Sequence, residues 1–276
     1  MQESVGNIVT LPFLAATRAA SEPALGRFGL LFGGSPAMQD VYRRIDKVAP
    51  TSATVLITGE SGSGKELVAH TIHDRSERAR APFIAVNCGA IPANLIEAEL
   101  FGYEKGAFTG ASRLHRGCFE RAEGGTLFLD EVTEMAPEMQ VRLLRVLETG
   151  RFTRVGGEDE LRCRVRIIAA TNRDPRAAVH DGQLREDLMY RLAVFPIALP
   201  PLREREGDAE LLAEHFLRQL NEAEGTTKQF SRQAIATLRA HRWPGNVREL
   251  KNAVQRAFIL ADDEVTYLGQ PVAMVV

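Results

Sequence analysis

The chain has 276 residues, 45% of them hydrophobic, which suffices for one large domain or for a large domain with a small one. Lysine and arginine number 34 against 36 aspartate and glutamate, so the net charge of -2 gives no strong general attraction for a nucleic-acid backbone. The three cysteines lack paired or metal-ligand spacing, which argues against a disulfide framework or structural zinc and favours the cytoplasm. No run of residues has the form of a signal peptide or a membrane span.

In chain order, residues 1–30 lack periodicity and are predicted to be a linker or the remnant of an upstream region. Hydrophobic runs predict strands at 53–58, 83–86, 126–129, 165–171 and 194–199, with helices at 65–75 and 137–149 among them. This alternation predicts an α/β fold over residues 31–201, a parallel sheet with helices on both faces. No strand pattern follows, and helices predicted at 208–223, 231–240 and 246–260 give a small all-helical subdomain over 202–264, before a tail at 265–276.

The first chemical motif is a glycine-rich turn between the first predicted strand and its helix. Its residues are Gly59, Glu60, Ser61, Gly62, Ser63, Gly64 and Lys65. Backbone N–H groups of such a turn close around phosphate oxygens, the helix N-terminus adds positive potential, and the lysine reaches the β- and γ-phosphates. Glu66 stands where the general motif has a serine or threonine that binds magnesium, so that ligand must come from another residue or from water.

Paired carboxylates follow a predicted buried strand. Asp130 at the strand end can hold magnesium, directly or through water, and Glu131 can orient and polarise the attacking water. An Asp-Glu pair alone is also typical of a solvated turn. Because a phosphate-binding loop precedes it in the same chain, the catalytic interpretation is favoured.

Several further polar residues have two interpretations. Asn87 and Asn172 end predicted strands, where an amide can sense a γ-phosphate or simply cap the strand end. Arg185 and Arg191 precede the last predicted strand, either as surface helix residues in salt bridges or as arginine fingers that neutralise transition-state charge on a neighbouring subunit's nucleotide. Arg248, near the start of the last predicted helix, can turn back toward the nucleotide.

Two other features have structural interpretations. Asn246 and Glu249 match an N-cap and its capping-box partner at the start of the last helix. His70 and His73 share a helix face, but without further ligands the interpretation that excludes a metal is favoured.

A segment of small residues surrounds one aromatic side chain. It consists of Gly106, Ala107, Phe108, Thr109, Gly110 and Ala111. These residues make a poor helix, so we expect an exposed loop with an aromatic tip, the alternative being a mobile insertion that packs on its own domain. Such a loop is expected to have few anchors, so its position should depend on what the core offers it.

Over residues 32–263 the sequence resembles the central domain of bacterial enhancer-binding proteins, the AAA+ activators of sigma-54 RNA polymerase. The matching segments are GESGSGKE at 59–66, GAFTGA at 106–111, GGTLFLDE at 124–131, AATN at 169–172 and WPGNVREL at 243–250. The resemblance implies an AAA+ core with a helical lid, ATP and magnesium as ligands, a hexameric or heptameric ring, and sigma-54 with its RNA polymerase as partner.

The resemblance also implies individual roles at the nucleotide. Asn87 would switch Glu131 according to the γ-phosphate. Asn172 would be sensor I and Arg248 sensor II. The family itself has glutamate at the position of Glu66, which softens the departure from the general motif.

Contacts with other chains are implied as well. Phe108 and Thr109 at the tip of the 106–111 loop would contact sigma-54, and a second loop at 154–160 would support the first. Arg185 and Arg191 would act across the interface between subunits of the ring.

Two other classes of function remain open from the residues. A DNA-processing AAA+ motor of the clamp-loader or helicase type would share the ATP site, although the intact 106–111 segment and the lack of basic excess disfavour it. A nucleotide-gated regulator without hydrolysis is disfavoured because Lys65, Asp130 and Glu131 are all present. No helix-turn-helix is recognisable after residue 260, so DNA binding is expected only through a domain outside this sequence.

Overall fold

The computed structural model describes residues 26–266 and residue 268. The strands are β1 (Arg27–Phe28), β2 (Leu31–Phe32), β3 (Val55–Thr58), β4 (Phe83–Asn87), β5 (Thr126–Asp130), β6 (Arg151–Thr153), β7 (Glu160–Arg162), β8 (Arg166–Thr171), β9 (Phe195–Ala198), β10 (Gln229–Phe230) and β11 (Glu264–Val265). The helices are α1 (Pro36–Val48), α2 (Lys65–Asp74), α3 (Ala93–Phe101), α4 (Cys118–Arg121), α5 (Pro137–Thr149), α6 (Pro175–His180), α7 (Glu186–Leu192), α8 (Asp208–Glu224), α9 (Arg232–Ala240) and α10 (Asn246–Leu260). Single 3₁₀ turns lie at Val132–Glu134 and Leu202–Glu204.

The main sheet has five parallel strands in the order β4-β5-β8-β3-β9. Thr58 at the end of β3 lies opposite Thr171 at the end of β8, and Asn87 lies opposite Asp130 at the ends of β4 and β5. The segments that leave these strand ends therefore meet at one edge of the sheet, which is where open α/β sheets bind ligands. The predicted parallel α/β fold is confirmed.

Both faces of the sheet are covered by hydrophobic clusters. Leu127 and Leu129 of β5 face a cluster that includes residues of α3, α5 and α7, whereas Phe128 between them faces a second cluster with α1 and α2. Because successive side chains of a strand point to opposite faces, this alternation shows that helices pack on both sides. The prediction of helices on both faces is therefore correct.

The element at 137–149 follows its local signals closely. Pro137 occupies the first turn of α5, and Gly150 ends the helix with a φ of 66° in the left-handed region that glycine tolerates. The other predicted strands and helices agree with the observed bounds within two residues.

Residues 27–32 differ from the sequence prediction, which assigned 1–30 to a linker. Strands β1 and β2 pair antiparallel, the Phe28 ring stacks on Tyr42 with 4.6 Å between centroids, and the Arg75 guanidinium lies over the same ring. These strands are too short to show a periodic pattern, and tertiary packing holds them to the domain. Residues 1–25 lie outside the described residues.

The helices after the main sheet form a separate small core. Side chains of α8, α9 and α10 pack around Trp243, whose indole N–H donates to the carbonyl of Leu238. The prediction that no strand follows residue 201 is wrong, since β10 and β11 form a short parallel pair. Each has two residues, too few for an alternating pattern to appear in sequence. The predicted tail begins inside β11, and apart from residues 265, 266 and 268 it lies outside the described residues.

Within residues 26–266, none of the helices is both long enough and apolar enough to cross a bilayer.

Candidate active site

The glycine-rich loop after β3 curves around the side chain of its own lysine. Gly62 and Gly64 have φ values of 75° and 107°, and Gly64 precedes the first residue of α2. Lys65 Nζ donates to the carbonyl oxygen of Gly59 at 2.9 Å. Burial lowers the pKa of Lys65, while the nearby charges of Asp130 and Glu131 oppose that shift. The ammonium group is thus held inside the loop, where phosphate oxygens are expected to bind.

The lid packs directly onto this loop at Gly62. A Cβ placed on Gly62 would lie 2.4 Å from the carbonyl oxygen of Gly245 and 3.0 Å from Arg248 Cβ, so only glycine allows the approach. Arg248 Nη1 donates to Ser61 Oγ at 3.0 Å. Glu249 Oε2 accepts the Gly245 N–H at 2.7 Å, whereas the predicted capping box needs the Asn246 N–H, which donates to the Trp243 carbonyl instead. Arg248 therefore lies beside the phosphate-binding loop, the position that its predicted role as sensor II for the γ-phosphate requires.

Asn246 does not have the N-cap role that the sequence suggested. It is fully buried with a φ of 54°, and the N-cap is the preceding glycine. Its Oδ1 accepts the Leu202 N–H at 2.8 Å, while Nδ2 donates to Glu60 Oε2 at 3.0 Å and to the Ser61 carbonyl at 3.1 Å. The amide thus joins the lid to the phosphate-binding loop and to the connection that follows β9. The Asn-Val-Arg-Glu pattern predicted a local cap because these distant partners are invisible in sequence.

Glu60 of the loop is also held by the connection to the lid. Arg203 donates to both of its carboxylate oxygens, at 2.9 and 2.7 Å. This pairing, with the hydrogen bond from Asn246, lowers the pKa of Glu60 to about 2.

A second connection between lid and core uses buried charges that the sequence analysis missed. Arg205 Nη2 donates to the Ser63 carbonyl at 2.8 Å. Asp208 accepts the backbone N–H groups of Gly34 and Ser35 at 2.7 and 3.0 Å. The segment before α1, the phosphate-binding loop and the first lid helix are therefore linked. In sequence both residues belong to a charged stretch, which by itself predicts solvent exposure.

The paired carboxylates lie at the end of β5 in an unusual backbone conformation. Asp130 Oδ1 accepts the Glu131 N–H at 3.0 Å, and Glu131 has φ 53° and ψ 45°, a left-handed conformation that costs a non-glycine residue about 1–3 kcal/mol. Asn87 Oδ1 accepts the N–H groups of Gly89 and Ala90 at 2.9 and 3.0 Å. A Cβ on Gly89 would lie 2.6 Å from Glu131 Oε2. Asn87 and Glu131 therefore lie on two sides of Gly89, and the Asn87 side-chain oxygen caps the turn that contains this glycine.

The carboxylates near the loop have the chemistry that magnesium requires. Partial burial, and to a lesser extent the charge of Asp130, raise the pKa of Glu66. Carboxylate oxygens are the ligands that magnesium prefers. The residues present fit the ion, with Asp130 as the side chain that would hold it directly or through water.

Asn172 directly follows β8 and is exposed at the same sheet edge. The preceding residue, Thr171, shares a hydrogen bond of 3.0 Å with the hydroxyl of Thr133 and accepts the Arg173 N–H at 3.1 Å. The strand end that carries Asn172 is thus connected to the turn that follows Glu131.

The two candidate fingers have partners within their own chain. Arg185 donates to both carboxylate oxygens of Asp187, at 3.1 and 2.8 Å, and Arg191 Nη2 donates to the Leu147 carbonyl at 2.9 Å. Both side chains lie at the surface. Within residues 26–266 neither has a hydrogen bond to the phosphate-binding loop, so their action on a nucleotide requires another subunit or a rearrangement.

The 106–111 loop is exposed at its tip, as the sequence predicted, whereas Ala111 at its end is buried. A hydrogen bond of 2.8 Å from the Gly106 N–H to the Ala111 carbonyl closes it. Phe108 is 43% exposed, and its ring packs edge-on against Tyr103 with 4.9 Å between centroids. Thr109 and the glycine after it are also exposed. The tip therefore presents one aromatic ring and one hydroxyl to solvent.

The expectation that this loop has few anchors is wrong. Arg154, in the turn between β6 and β7, donates to both carboxylate oxygens of Glu120 at 2.8 Å and to Glu104 Oε1 at 2.6 Å. A Cβ on Gly156 of the same turn would lie 2.7 Å from Ala107 Cβ. The second loop thus holds the base of the first, through charges whose pairing the sequence could not reveal.

His70 and His73 take part in packing on α2. His73 Nδ1 shares a hydrogen bond of 2.9 Å with Thr126 Oγ1, and the His70 ring packs against Phe83. Burial lowers the pKa of both imidazoles.

These features together define a class of protein. A lysine-bearing phosphate loop after a central strand, paired carboxylates two strands away and a helical lid seated on the loop make this an AAA+ ATPase domain. A family model described as the sigma-54 interaction domain matches residues 31–198, and one described as the AAA+ ATPase lid domain matches residues 203–269. The chain belongs to the sigma-54 interaction domain family.

Known relatives agree with this assignment. The chain is 54% identical over 238 residues to the nitrogen fixation protein AnfA of Azotobacter vinelandii, covering 86% of the chain and 45% of that protein. It is 54% identical over 235 residues to the DNA-binding transcriptional regulator NtrC of Azospirillum brasilense, covering 85% and 49%. A crystal structure of NtrX from Brucella abortus in complex with ATP superposes with a TM-score of 0.78 at 42% identity, covering 84% of this chain and 54% of that one. The chain spans about half the length of the curated relatives it matches.

Proposed function

We propose that this chain is the ATP-hydrolysing motor domain of a sigma-54-dependent transcription activator. In a ring of subunits it would couple hydrolysis to remodelling of the closed complex of sigma-54 RNA polymerase. The observation that carries the proposal is the exposed tip of Phe108 and Thr109, held by Arg154 to the domain that contains the ATP site. The family match favours this function over a DNA-processing motor.

Within one subunit, each residue at the sheet edge has a distinct task. The loop N–H groups and Lys65 bind the phosphates of ATP, and Asn172 and Arg248 contact the γ-phosphate from the core and from the lid. Glu131 accepts a hydrogen bond from the attacking water and so polarises it for attack on the γ-phosphorus, which releases ADP and phosphate. Asp130 would hold magnesium, directly or through water, and the ion would supply positive charge to offset the negative charge of the phosphates.

The site is completed by a neighbouring subunit. Arg185 and Arg191 are exposed and hydrogen-bond away from their own phosphate loop, so in a hexameric or heptameric ring they are available to the nucleotide of the next subunit. There they would neutralise charge that develops in the transition state. Arg185 must then exchange Asp187 for phosphate oxygens, which makes the finger dependent on assembly.

The 106–111 loop transmits the cycle of ATP binding and hydrolysis to sigma-54. Burial of the exposed 43% of one Phe108 side chain on sigma-54 would contribute on the order of 1 kcal/mol, and a ring presents several loops together. Asn87 would pass the γ-phosphate state to Glu131, and the ties between loops 106–111 and 154–160 would move the tip with the core. Binding then depends sharply on the nucleotide state.

A single threonine variant tests whether the 106–111 loop acts on sigma-54. Thr109→Ala removes a methyl and a hydroxyl group from the tip and leaves the ATP site unchanged, so ATP turnover and assembly should be retained. Capture of sigma-54 in the presence of a transition-state nucleotide analogue, and opening of a sigma-54 promoter, should both be lost. Thr237→Ala, the same change on α9, serves as the control with both activities intact. Normal capture by the Thr109 variant would remove the loop from this role, and DNA-stimulated turnover would favour the DNA-processing motor.

Two inactive variants test whether the ATP site is completed by a neighbouring subunit. Lys65→Ala removes phosphate binding and Arg185→Ala removes a finger, so each ring alone should lose turnover. A mixture should recover part of it, because some interfaces join an intact loop to an intact finger. Specific turnover of the parent protein should also rise with concentration. Mixtures that stay inactive would show that the finger does not act between subunits.

A further inference from the structure

The segment that leads to Arg185 is held from behind by a buried glutamine. Gln140 of α5 is 1% exposed. Its Nε2 donates to the carbonyl oxygens of Gln183 at 2.7 Å and Met135 at 2.8 Å, and its Oε1 accepts the Arg185 N–H at 2.9 Å. Both amide protons and the amide oxygen are thus in use, so the side chain fixes the main chain on either side of Leu184.

The three main-chain partners come from two functional parts of the domain. Met135 follows the 3₁₀ turn that begins after Glu131, and Gln183 and Arg185 lie at the start of the finger helix α7. Gln140 is therefore a single rigid bridge between the segment after the catalytic carboxylate and the backbone of the finger. An apolar side chain of the same length would fill the space without making any of these bonds.

A second bridge reaches the same segment from the strand end that carries Asn172. Arg173 donates through Nε and Nη2 to Glu134 Oε1, at 3.0 and 2.7 Å, and through Nη1 to Gln183 Oε1. Glu134 lies in the turn after Glu131, to whose carbonyl it donates its N–H at 2.9 Å. Because the Arg173 and Glu134 side chains are 40% and 38% exposed, the pair adds little stability, but through Arg173 it connects Gln183 to the turn after Glu131.

We propose that Gln140 and Gln183 are positioning residues for the finger. They tie the hydrolysing end of a subunit's own ATP site to the Arg185 that this subunit offers to its neighbour, so that each nucleotide state sets the position of the finger acting on the next nucleotide. The inference rests on the proposed action of Arg185 between subunits. It adds the internal connection that makes successive sites in a ring dependent on one another.

The test uses Gln140→Met, which keeps the length of the side chain and removes its hydrogen bonds. Rings of this variant should assemble, bind ATP and lose turnover about tenfold to hundredfold, since a misplacement near 1 Å has that effect on a catalytic group. Gln183→Leu, at a half-buried position, should give a smaller loss of the same kind and serves if the first variant does not fold. Gln233→Leu, on the exposed face of α9, is the control and should turn over normally.

Mixed rings separate positioning of the finger from damage to the variant's own site. Mixed with Lys65→Ala subunits, Gln140→Met should recover turnover, because its intact phosphate loop then receives an undisturbed finger. Mixed with Arg185→Ala subunits it should stay inactive, because every interface then has a defective finger. A residue needed only within its own ATP site gives the opposite pattern, with rescue by Arg185→Ala and none by Lys65→Ala.

The mixture of Lys65→Ala and Arg185→Ala subunits distinguishes failure of the finger's action between subunits from failure of the glutamine positioning role. If Lys65→Ala and Arg185→Ala subunits do not rescue each other, the finger does not act between subunits, and the proposed action of Arg185 fails together with the positioning role. If they do, and the glutamine variants turn over normally or are rescued only by Arg185→Ala, the proposed function stands and the positioning role is refuted.

Discussion

Asn246 Nδ2 donates a hydrogen bond to Glu60 Oε2 across 3.0 Å, joining the first residue of the last lid helix to the phosphate-binding loop. The two residues are 186 positions apart in the chain. Since the same Asn246 amide accepts the Leu202 N–H, the lid, the loop and the connection between core and lid meet at one buried side chain. Asn246 is therefore one of the contacts through which a movement of the lid reaches the phosphate-binding loop, beside those of Arg205 and Arg248.

Replacement of Asn246 tests this connection. Asn246→Ala loses the hydrogen bonds to Leu202, Glu60 and Ser61 and places a Cβ-bearing residue without a polar side chain at a φ of 54°, so the free energy of unfolding should fall by about 2–4 kcal/mol in urea titrations. Asn246→Gly removes the same hydrogen bonds without backbone strain and should lose less. Both variants should bind ATP more weakly, as measured by calorimetry. Equal stability of all three proteins would contradict the role assigned to the amide.

The ion pair of Glu60 predicts a pH dependence. Because Arg203 and Asn246 lower the pKa of Glu60 from 4.5 to about 2, their stabilisation is complete above pH 4.5 and is lost as the pH falls toward 2. Glu60→Gln should therefore reduce the free energy of unfolding at pH 7 and reduce it less at about pH 3.5. Arg203→Gln should cause a smaller loss of the same kind, because the hydrogen bond from Asn246 remains, and the double variant should lose no more than Glu60→Gln alone. A constant difference between Glu60→Gln and the parent at both pH values would refute the assignment.

Glu131→Gln tests the catalytic carboxylate. The amide keeps the size of the side chain but is a weaker acceptor for the attacking water, so turnover should fall at least a hundredfold, on the order of typical general-base losses. ATP affinity should remain close to that of the parent, because Lys65 and the loop are unchanged. Single-turnover kinetics and equilibrium binding on one preparation give both quantities. Unchanged turnover would remove Glu131 from this role.

Gly89→Ala should reproduce part of the loss of turnover expected for Glu131→Gln without replacing an acidic residue. The new methyl group would lie 2.6 Å from Glu131 Oε2, and the carboxylate, as the free end of a side chain, can move away at little cost in stability. The melting temperature should therefore change little, while turnover falls about tenfold because a catalytic group is displaced. Combined with Glu131→Gln, the alanine should add almost nothing. A fully additive loss would show that Gly89 acts independently of Glu131.

Arg154→Met should disturb the position of the 106–111 loop while leaving ATP hydrolysis intact. It leaves the carboxylates of Glu104 and Glu120 without the cation that holds them together, and the pKa of Glu120, now lowered by Arg154, should rise. Capture of sigma-54 should weaken about tenfold, within the range expected for coupling through such a contact, with ATP turnover near normal. Arg151→Met breaks the exposed pair with Glu160 in the same hairpin and should change neither. Equal behaviour of the two variants would rule out the anchor.

The sequence by itself determined the elements and the chemical motifs, because both depend on neighbours a few residues away. The hydrophobic run of β5 and the proline and glycine at the two ends of α5 predicted those elements closely. Gly59 to Lys65 predicted a phosphate site, since a glycine-rich turn needs only the strand before it and the helix after it.

The tertiary structure alone decided which side chains meet. Asn246 matched a local cap in sequence, yet its partners are Glu60 and Leu202, which only the packing of the lid on the core brings near. Gly89 matters only because Glu131, which follows the neighbouring strand β5, lies against it. Arg154 belonged to a predicted loop, but its pairing with Glu104 depends on two distant segments folding side by side. Contacts of this kind arise from long-range packing, for which a local pattern of residues contains no signal.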